Sequence, residues 1–297
     1  MHKNYYVEAI NNANGNGWYM GEGITYLYLS PDDYDERYWK NVNRYRIPGT
    51  TVSNIERIEE NIASEDTLTD CDYVGGLADG KCSVAAMKFK ASTDAMDFIS
   101  DLEGNKAWFV FEDYIVCAGN FIKSTDHSSI ETVMLNRINK SNIKIEDHDG
   151  SIFIPNYGGI VILDDRMQYN IEQNNGFDEI YATHGENPMD ASYICVNTAR
   201  WGASDLENIK SDIQIIHNDD SVTSVEDTGL GIISYVFWET GNCGNITVTD
   251  PCIVMITEDK ITICDPTMKL QEIIVSIGEK EYRFSGLKNG LSQSVYR

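Results

Sequence analysis

Positive charge is what this chain has least of. Its 297 residues carry 23 Lys and Arg against 47 Asp and Glu, a net charge of −24 at neutral pH. Phosphate binding requires a basic face, so nucleic acid is excluded as a partner, and so is a plain anionic membrane surface. A polyanionic ligand of any kind would need its own local cations, or cations from another domain. No apolar run reaches the roughly 18 residues of a membrane-spanning helix, and the opening residues MHKNYYVEAI lack the apolar core of a signal peptide. Proline is scarce, at 6 residues, and no repeat or low-complexity tract interrupts the chain. The seven cysteines (71, 82, 117, 195, 243, 252 and 264) form no CxxC pair and no zinc-type cluster. Asp164-Asp165 and Asp219-Asp220 lack the spacing of a calcium loop, and no nucleophile-elbow motif is present. Neither a metal nor an organic cofactor is expected.

What is present is β-structure. Hydrophobic residues make up 42% and aromatics 10%, with 17 Tyr, which describes a folded chain rich in strand formers. Short apolar segments recur between Asn, Asp and Gly punctuation: ITYLYL (24–29), SVAAMKFK (83–90), KAWFVF (106–111), YIVCAG (114–119), GGIVIL (158–163) and EIYAT (179–183). GIISYVFW (231–238), CIVMIT (252–257), KITIC (260–264) and EIIVSI (272–277) continue the series. Segments of this length and spacing predict stacked antiparallel sheets. Two hairpins are predicted, turning at Glu112-Asp113 and at Glu258-Asp259. Helix is expected only over 92–103, STDAMDFISDLE, with a turn or two over 53–61. WGASDLENIK (201–210) reads as a polar loop and marks a domain boundary, giving a β-domain over 1–205 and a smaller one over 206–297. Cys117, Cys195 and Cys264 sit in apolar strands and read as buried thiols. The spacing leaves open a pairing of Cys71 with Cys82 or of Cys243 with Cys252.

The most distinctive stretch, GWYMGEGITYLYLSPDDYDERYWKNVNRYRIPGTTV (17–52), closely resembles the start of the central β-domain of polysaccharide lyase family 8, the hyaluronate, chondroitin AC and xanthan lyases. YVGGLADGKCSVAAMKFK (73–90), KAWFVFEDYIVCAGNFIKS (106–124), THGENPMDASYICVN (183–197) and CDPTMKLQEIIVSI (264–277) are similar to later segments of that family, in the family's order. The resemblance implies an all-β fold, a large antiparallel β-sandwich of the galactose-mutarotase-like supersandwich type followed by a smaller C-terminal β-sandwich. It also implies that the chain starts where the family's second domain starts. The catalytic Asn, His, Tyr and Arg would then reside on an N-terminal α/α toroid, leaving no catalytic residue in this chain.

Such lyases cleave by β-elimination: a base removes the C5 proton of a uronic acid and the bond to the C4 oxygen breaks. Neutralising the adjacent carboxylate stabilises the developing carbanion, and a Tyr serves as base and proton donor. By the resemblance, Glu8 supports the catalytic Arg and Asn11 touches sugar. Asn14 falls on a second family Asn, whereas Ala13 stands where the family often has Glu. The residues alone read NNANGNG as a turn rich in left-handed conformers; the resemblance assigns Glu8 and Asn11 to the cleft and leaves Asn12 and Asn16 to the turn. Trp18 is the aromatic expected to contact ligand, while Tyr26, Tyr28 and Trp39 are expected in the core. The basic cluster of Arg37, Lys40, Arg44 and Arg46 lies among Asp32, Asp33, Asp35 and Glu36 and is expected to form structural ion pairs. His184 is expected as a hydrogen-bonded turn residue rather than a general base.

The implied activity is therefore the C-terminal portion of a polysaccharide lyase, one wall of a cleft for an acidic glycan, partnered by a separate α/α-toroid domain. The alternative is a stand-alone, non-catalytic carbohydrate-binding or scaffold module of the same descent. The resemblance places the parent enzymes outside the cell.

Overall fold

The computed structural model describes residues 21–56, 71–91, 100–140 and 143–297. The expected strand over 24–29 joins no sheet. That segment runs extended, with Thr25 N–H bonded to the Pro48 carbonyl (2.8 Å), and its Tyr26 packs on Trp39 of the short helix α1 (Glu36–Asn41). Asp35 caps α1: one carboxylate oxygen accepts the backbone N–H groups of Arg37 and Tyr38, which the first helical turn leaves unpaired.

The strands follow. In chain order they are β1 (Thr51–Ser53), β2 (Val74–Ala78), β3 (Ser83–Lys90), β4 (Glu103–Val110), β5 (Tyr114–Lys123) and β6 (Ser129–Ile138). Next come β7 (Glu146–His148), β8 (Ser151–Ile154), β9 (Gly158–Ile162), β10 (Gln168–Asn174), β11 (Phe177–Glu186) and β12 (Ala191–Ala199). Helix α2 (Ala203–Asp212) leads into β13 (Ile213–Asn218), β14 (Val222–Asp227), β15 (Ile232–Phe237), β16 (Gly241–Cys243) and β17 (Ile246–Val248). The last are β18 (Cys252–Ile256), β19 (Lys260–Cys264), β20 (Glu272–Ile277), β21 (Lys280–Ser285) and β22 (Gln293–Tyr296).

These form four sheets, with strand orders β1-β6-β11-β10, β2-β3-β4-β5-β12-β9-β8-β7, β13-β14-β15-β18-β19-β22 and β16-β17-β20-β21. Every pairing is antiparallel in the described residues. Both predicted hairpins form, Val110 pairing Ile115 and Ile256 pairing Ile261 around their acidic turns. Three apolar cores separate the four sheets. One face of the eight-stranded sheet packs through Phe89, Ile122, Ile160 and Tyr193 against Ile130, Leu135 and Ile180 of the first sheet. Its other face, with Val84, Phe109, Val116 and Val196, packs against Val225, Val236, Ile253 and Met255 of the six-stranded sheet. The third core, around Phe237, Val254, Ile263, Val275 and Phe284, joins the six-stranded sheet to the last one. A sheet covered on both faces needs strands that are apolar on both, which is why β9 and β18 are unbroken runs of buried residues rather than alternations.

The segment expected as a loop over 201–210 is instead α2. Asp205 reaches back to the Gly202 N–H (2.9 Å), and Leu206, Ile209 and the following Ile213 recur at helical spacing on one face. Polar residues elsewhere on the helix masked that stripe. The expected 205/206 division falls inside α2, whose Leu206 and Ile209 enter the core shared by the eight- and six-stranded sheets. Of the predicted helix over 92–103, residues 92–99 lie outside the described residues, and Glu103 opens β4. Of 53–61, residues 57–61 lie outside, and Ser53 ends β1. None of the seven cysteines is joined in a disulfide.

Polar staples cross between the eight- and six-stranded sheets. Asn105 Nδ2 donates to Asn120 Oδ1 (2.9 Å), and Asn120 Nδ2 donates to Asn218 Oδ1 (2.9 Å) and Thr223 Oγ1 (2.8 Å). Trp238 Nε1 joins at Thr223 Oγ1 (3.0 Å), and the Tyr73 hydroxyl donates to the Phe237 carbonyl (2.9 Å).

Candidate functional site

Glu8, Asn11, Asn14 and Trp18 lie outside the described residues. The structure shows the platform that directly follows them. From Glu22 to Thr50 the chain makes an excursion whose two ends meet over the edge between the first two sheets. Gly49 N–H donates to the Val133 carbonyl (2.7 Å) and Val133 N–H to the Thr50 carbonyl (2.9 Å), docking the returning end onto β6. Gly49 has φ +88°, and a Cβ there would lie 2.5 Å from both the Gly23 carbonyl oxygen and the Thr25 nitrogen. Only glycine meets both the left-handed backbone and the crossing. This accounts for Pro-Gly-Thr-Thr at the end of the distinctive stretch.

Beneath the crossing lies Lys106, on β4, with no exposed surface. Its Nζ donates to the carbonyls of Glu22 (3.1 Å) and Gly49 (2.7 Å), one from each end of the excursion, and sits 4.9 Å from the Phe89 ring centroid. Trp108, on the same face of β4, donates from Nε1 to Thr25 Oγ1 (2.8 Å). Burial pulls the Lys106 ammonium down to about 7, against the raising influence of the Glu22 carboxylate. In the sequence Lys106 is simply the first residue of a predicted strand; the readable signal is a cation sharing one strand face with an inward Trp.

Next to Lys106 is His184. The β6–β11 register slips so that Thr183 faces Glu131 and Gly185 faces Ile130, leaving His184 as the extra residue of a bulge. It is a strand residue, not the turn residue the sequence implied, though hydrogen-bonded: Nε2 lies 2.8 Å from Thr132 Oγ1, itself 2.8 Å from Thr51 Oγ1. Burial, and then the Lys106 ammonium, pull it down to about 4, so the ring is neutral at physiological pH.

The basic cluster of 37–46 disperses. Lys40 pairs with Glu36 on exposed α1 (2.7 Å), as expected from neighbouring charges. Arg44 instead donates to the Trp39 carbonyl (2.6 Å). Arg46 finds partners far along the chain: Glu131 through Nε (2.9 Å) and Nη2 (3.2 Å), and Glu179 through Nη1 (2.8 Å), with its guanidinium 3.6 Å from the Tyr181 ring centroid. Burial opposes its charge, but Glu131 and Glu179 outweigh that and raise it further. Asp33 takes Lys140 Nζ (2.8 Å) and the backbone N–H groups of Leu29 and Ser30; burial resists, yet these donors hold its carboxyl at about 2. Tyr38 is fully buried, and Tyr26 and Trp39 pack against it, but Tyr28 is 59% exposed and is not core. Its ring leans on Tyr34, centroids 4.8 Å apart, with its outer face open. Among the described residues no three His, Cys, Asp or Glu side chains are grouped as metal ligands.

Residues 2–155 match the super-sandwich domain of polysaccharide lyase family 8, and residues 214–274 match that family's C-terminal β-sandwich domain. The hyaluronate lyase of Thermasporomyces composti is 26% identical over 305 residues, covering 87% of this chain and 38% of the relative. The xanthan lyase of a Bacillus species, strain GL1, is 28% identical over 315 residues, covering 88% of this chain and 33% of the relative. The chain thus spans between a third and two fifths of the length of these relatives. In fold, the chondroitin AC lyase of Streptomyces coelicolor A3, solved in complex with chondroitin sulphate, superposes with a TM-score of 0.85 at 20% identity, over 96% of this chain and 44% of that one. The order of the sheets, the sequence matches along both β-regions and the superposition agree, and the chain belongs to polysaccharide lyase family 8.

Proposed function

We propose that this chain is the β-portion of a lyase that cleaves an acidic, uronate-containing glycan by β-elimination, and that it forms one wall of the substrate cleft. In this reading an α/α-toroid domain supplies the base, the proton donor and the groups that neutralise the uronate carboxylate. The chain's own contribution is positional. Glu8 orients the toroid's Arg, while Asn11, Asn14 and Trp18 meet sugar from the opposite side, and misplacing such groups by about 1 Å can lower a rate about 100-fold. The observation that carries the reading is the platform: the segment joining Glu8–Trp18 to the sheets is held at both ends by Lys106, Trp108 and Val133, within the span that matches the family's super-sandwich. Its substrates being extracellular polymers, the working protein belongs outside the cell.

The test follows the ultraviolet absorbance of the unsaturated uronate product with hyaluronan, chondroitin and xanthan in turn. The chain alone should give no turnover, and adding a family α/α-toroid domain as a separate polypeptide should restore it. In the reconstituted enzyme Glu8→Gln should lower kcat by about 10- to 100-fold, and Asn11→Ala should raise KM. Turnover by the chain alone would refute the division of labour. Glycan binding with no turnover even beside the toroid would instead identify a non-catalytic module.

A further inference from the structure

Two thiols face each other in the middle of the molecule. Cys117 on β5 and Cys195 on β12 are direct ladder partners at the centre of the eight-stranded sheet, with their side chains on the same face. Leu163 N–H bonds to the Ile194 carbonyl on the β9 side, so Cys195 turns its own N–H and C=O towards β5. That makes Cys117–Cys195 the hydrogen-bonded kind of antiparallel pair, with Cα atoms about 5.5 Å apart. Disulfides most often span about 5.5–6 Å between Cα atoms but bring the Cβ atoms to about 3.8 Å, so β5 and β12 must close by roughly 1 Å at this pair for the bond to form. Asn197 Nδ2 lies 3.7 Å from Cys117 Sγ. A small cavity of about 10 Å³ is bounded by both cysteines, Thr132, Tyr193 and Asn197. The other strand cysteines have no such partner: Cys243, Cys252 and Cys264 face Ile246, Phe237 and Ile253, and Cys252 and Cys264 lie in different cores.

We propose that Cys117 and Cys195 form a reversible disulfide that clamps the two central strands of the eight-stranded sheet when the protein meets a disulfide oxidant. With oxidised glutathione the step balances. One cysteine thiolate attacks a glutathione sulfur and releases glutathione thiolate; the second cysteine then attacks the mixed disulfide and releases another. Two protein thiols are oxidised, one glutathione disulfide is reduced to two thiols, and two protons pass from the cysteines to the departing glutathiones. Both side chains are buried, and the Cys117 thiol, then burial, push the Cys195 thiol well up. Attack in the closed fold is therefore slow, and the bond forms chiefly as β12 is laid on β5 during folding.

The chain is refolded in oxidised glutathione or in dithiothreitol, its remaining thiols are alkylated in denaturant, and the disulfide is located by non-reducing peptide mapping. The oxidised sample should carry one bond, joining the peptides of Cys117 and Cys195, with five alkylated cysteines. Its melting temperature should exceed that of the reduced sample by roughly 5 °C, because a long loop is closed in the unfolded chain. Cys117→Ser and Cys195→Ser should each abolish both the bond and the shift, while Cys252→Ser should leave both intact. Seven alkylated cysteines after oxidative refolding, or a bond joining any other pair, would overturn the proposal.

Discussion

Replacing Lys106 by Met deletes an ammonium and keeps most of the side chain's volume, so it separates charge from packing. In the folded chain burial holds this ammonium near 7, whereas an unfolded lysine titrates near about 10.4. Between those two values the unfolded chain binds more protons, so folding stability rises with pH across that interval. The gain is complete above the unfolded value and is lost as the pH falls to about 7, below which both states are protonated. Each pH unit inside the interval is worth about 1.4 kcal/mol, so the native protein should gain about 2–3 kcal/mol between pH 7 and pH 9 from this one group. Lys106→Met removes the slope. It also leaves the Glu22 and Gly49 carbonyls without their donor, at about 1–3 kcal/mol each. Urea denaturation of both proteins at pH 6, 7, 8 and 9 reads the difference directly. The two should run parallel from pH 6 to 7 and diverge by about 2–3 kcal/mol from 7 to 9. Parallel behaviour throughout would mean that the ammonium is not buried as described, and the account of the platform would fall with it.

Gly49→Ala should cost at least about 2 kcal/mol by thermal melting, because the new Cβ meets the Gly23 carbonyl and φ is positive. Asn120→Leu leaves Asn105, Asn218 and Thr223 short of partners between two sheets and should lower stability by about 2–4 kcal/mol in urea. Arg46→Met leaves Glu131 and Glu179 uncompensated, with a loss of about 3 kcal/mol that shrinks as those carboxylates are protonated below pH 5. His184 is held near 4 when folded against about 6.5 unfolded, so the unfolded chain binds more protons between those values. Stability should fall by up to about 3 kcal/mol as the pH drops from 6.5 to 4, and His184→Gln should remove that part of the acid sensitivity.

Most of the β-architecture was legible because its strands are short apolar runs with clear punctuation; both acidic hairpin turns lie where Glu112-Asp113 and Glu258-Asp259 placed them. Residues 24–29 misled because ITYLYL has the alternation of a strand, yet its tyrosines stack on Tyr34 rather than entering a ladder, and propensity records the residue types but not the partner. Helix α2 was hidden because only Leu206 and Ile209 of its ten residues are buried, too thin a stripe to register against Ser, Asp, Glu and Asn. At the site, the Pro-Gly-Thr-Thr segment stood out, and its reason emerges only when Gly49 is seen crossing Gly23. The partners of Arg46 lie 85 and 133 residues away, and no local pattern encodes contacts made by folding at such range. Lys106 gives no local signal of its burial, because a lone lysine in a strand is ordinarily solvated.

The middle of the eight-stranded sheet, β4, β5, β12 and β9, has no wet face: one side is sealed by the first sheet and the other by the six-stranded sheet. Variation that a family needs in order to suit different polymers has little room in the strands that make up its bulk. It is pushed outward to the strand ends, to the connecting turns, and to the excursion held down by one hidden lysine. Diversification in such a molecule should therefore look like redecorated rims around an unchanging slab.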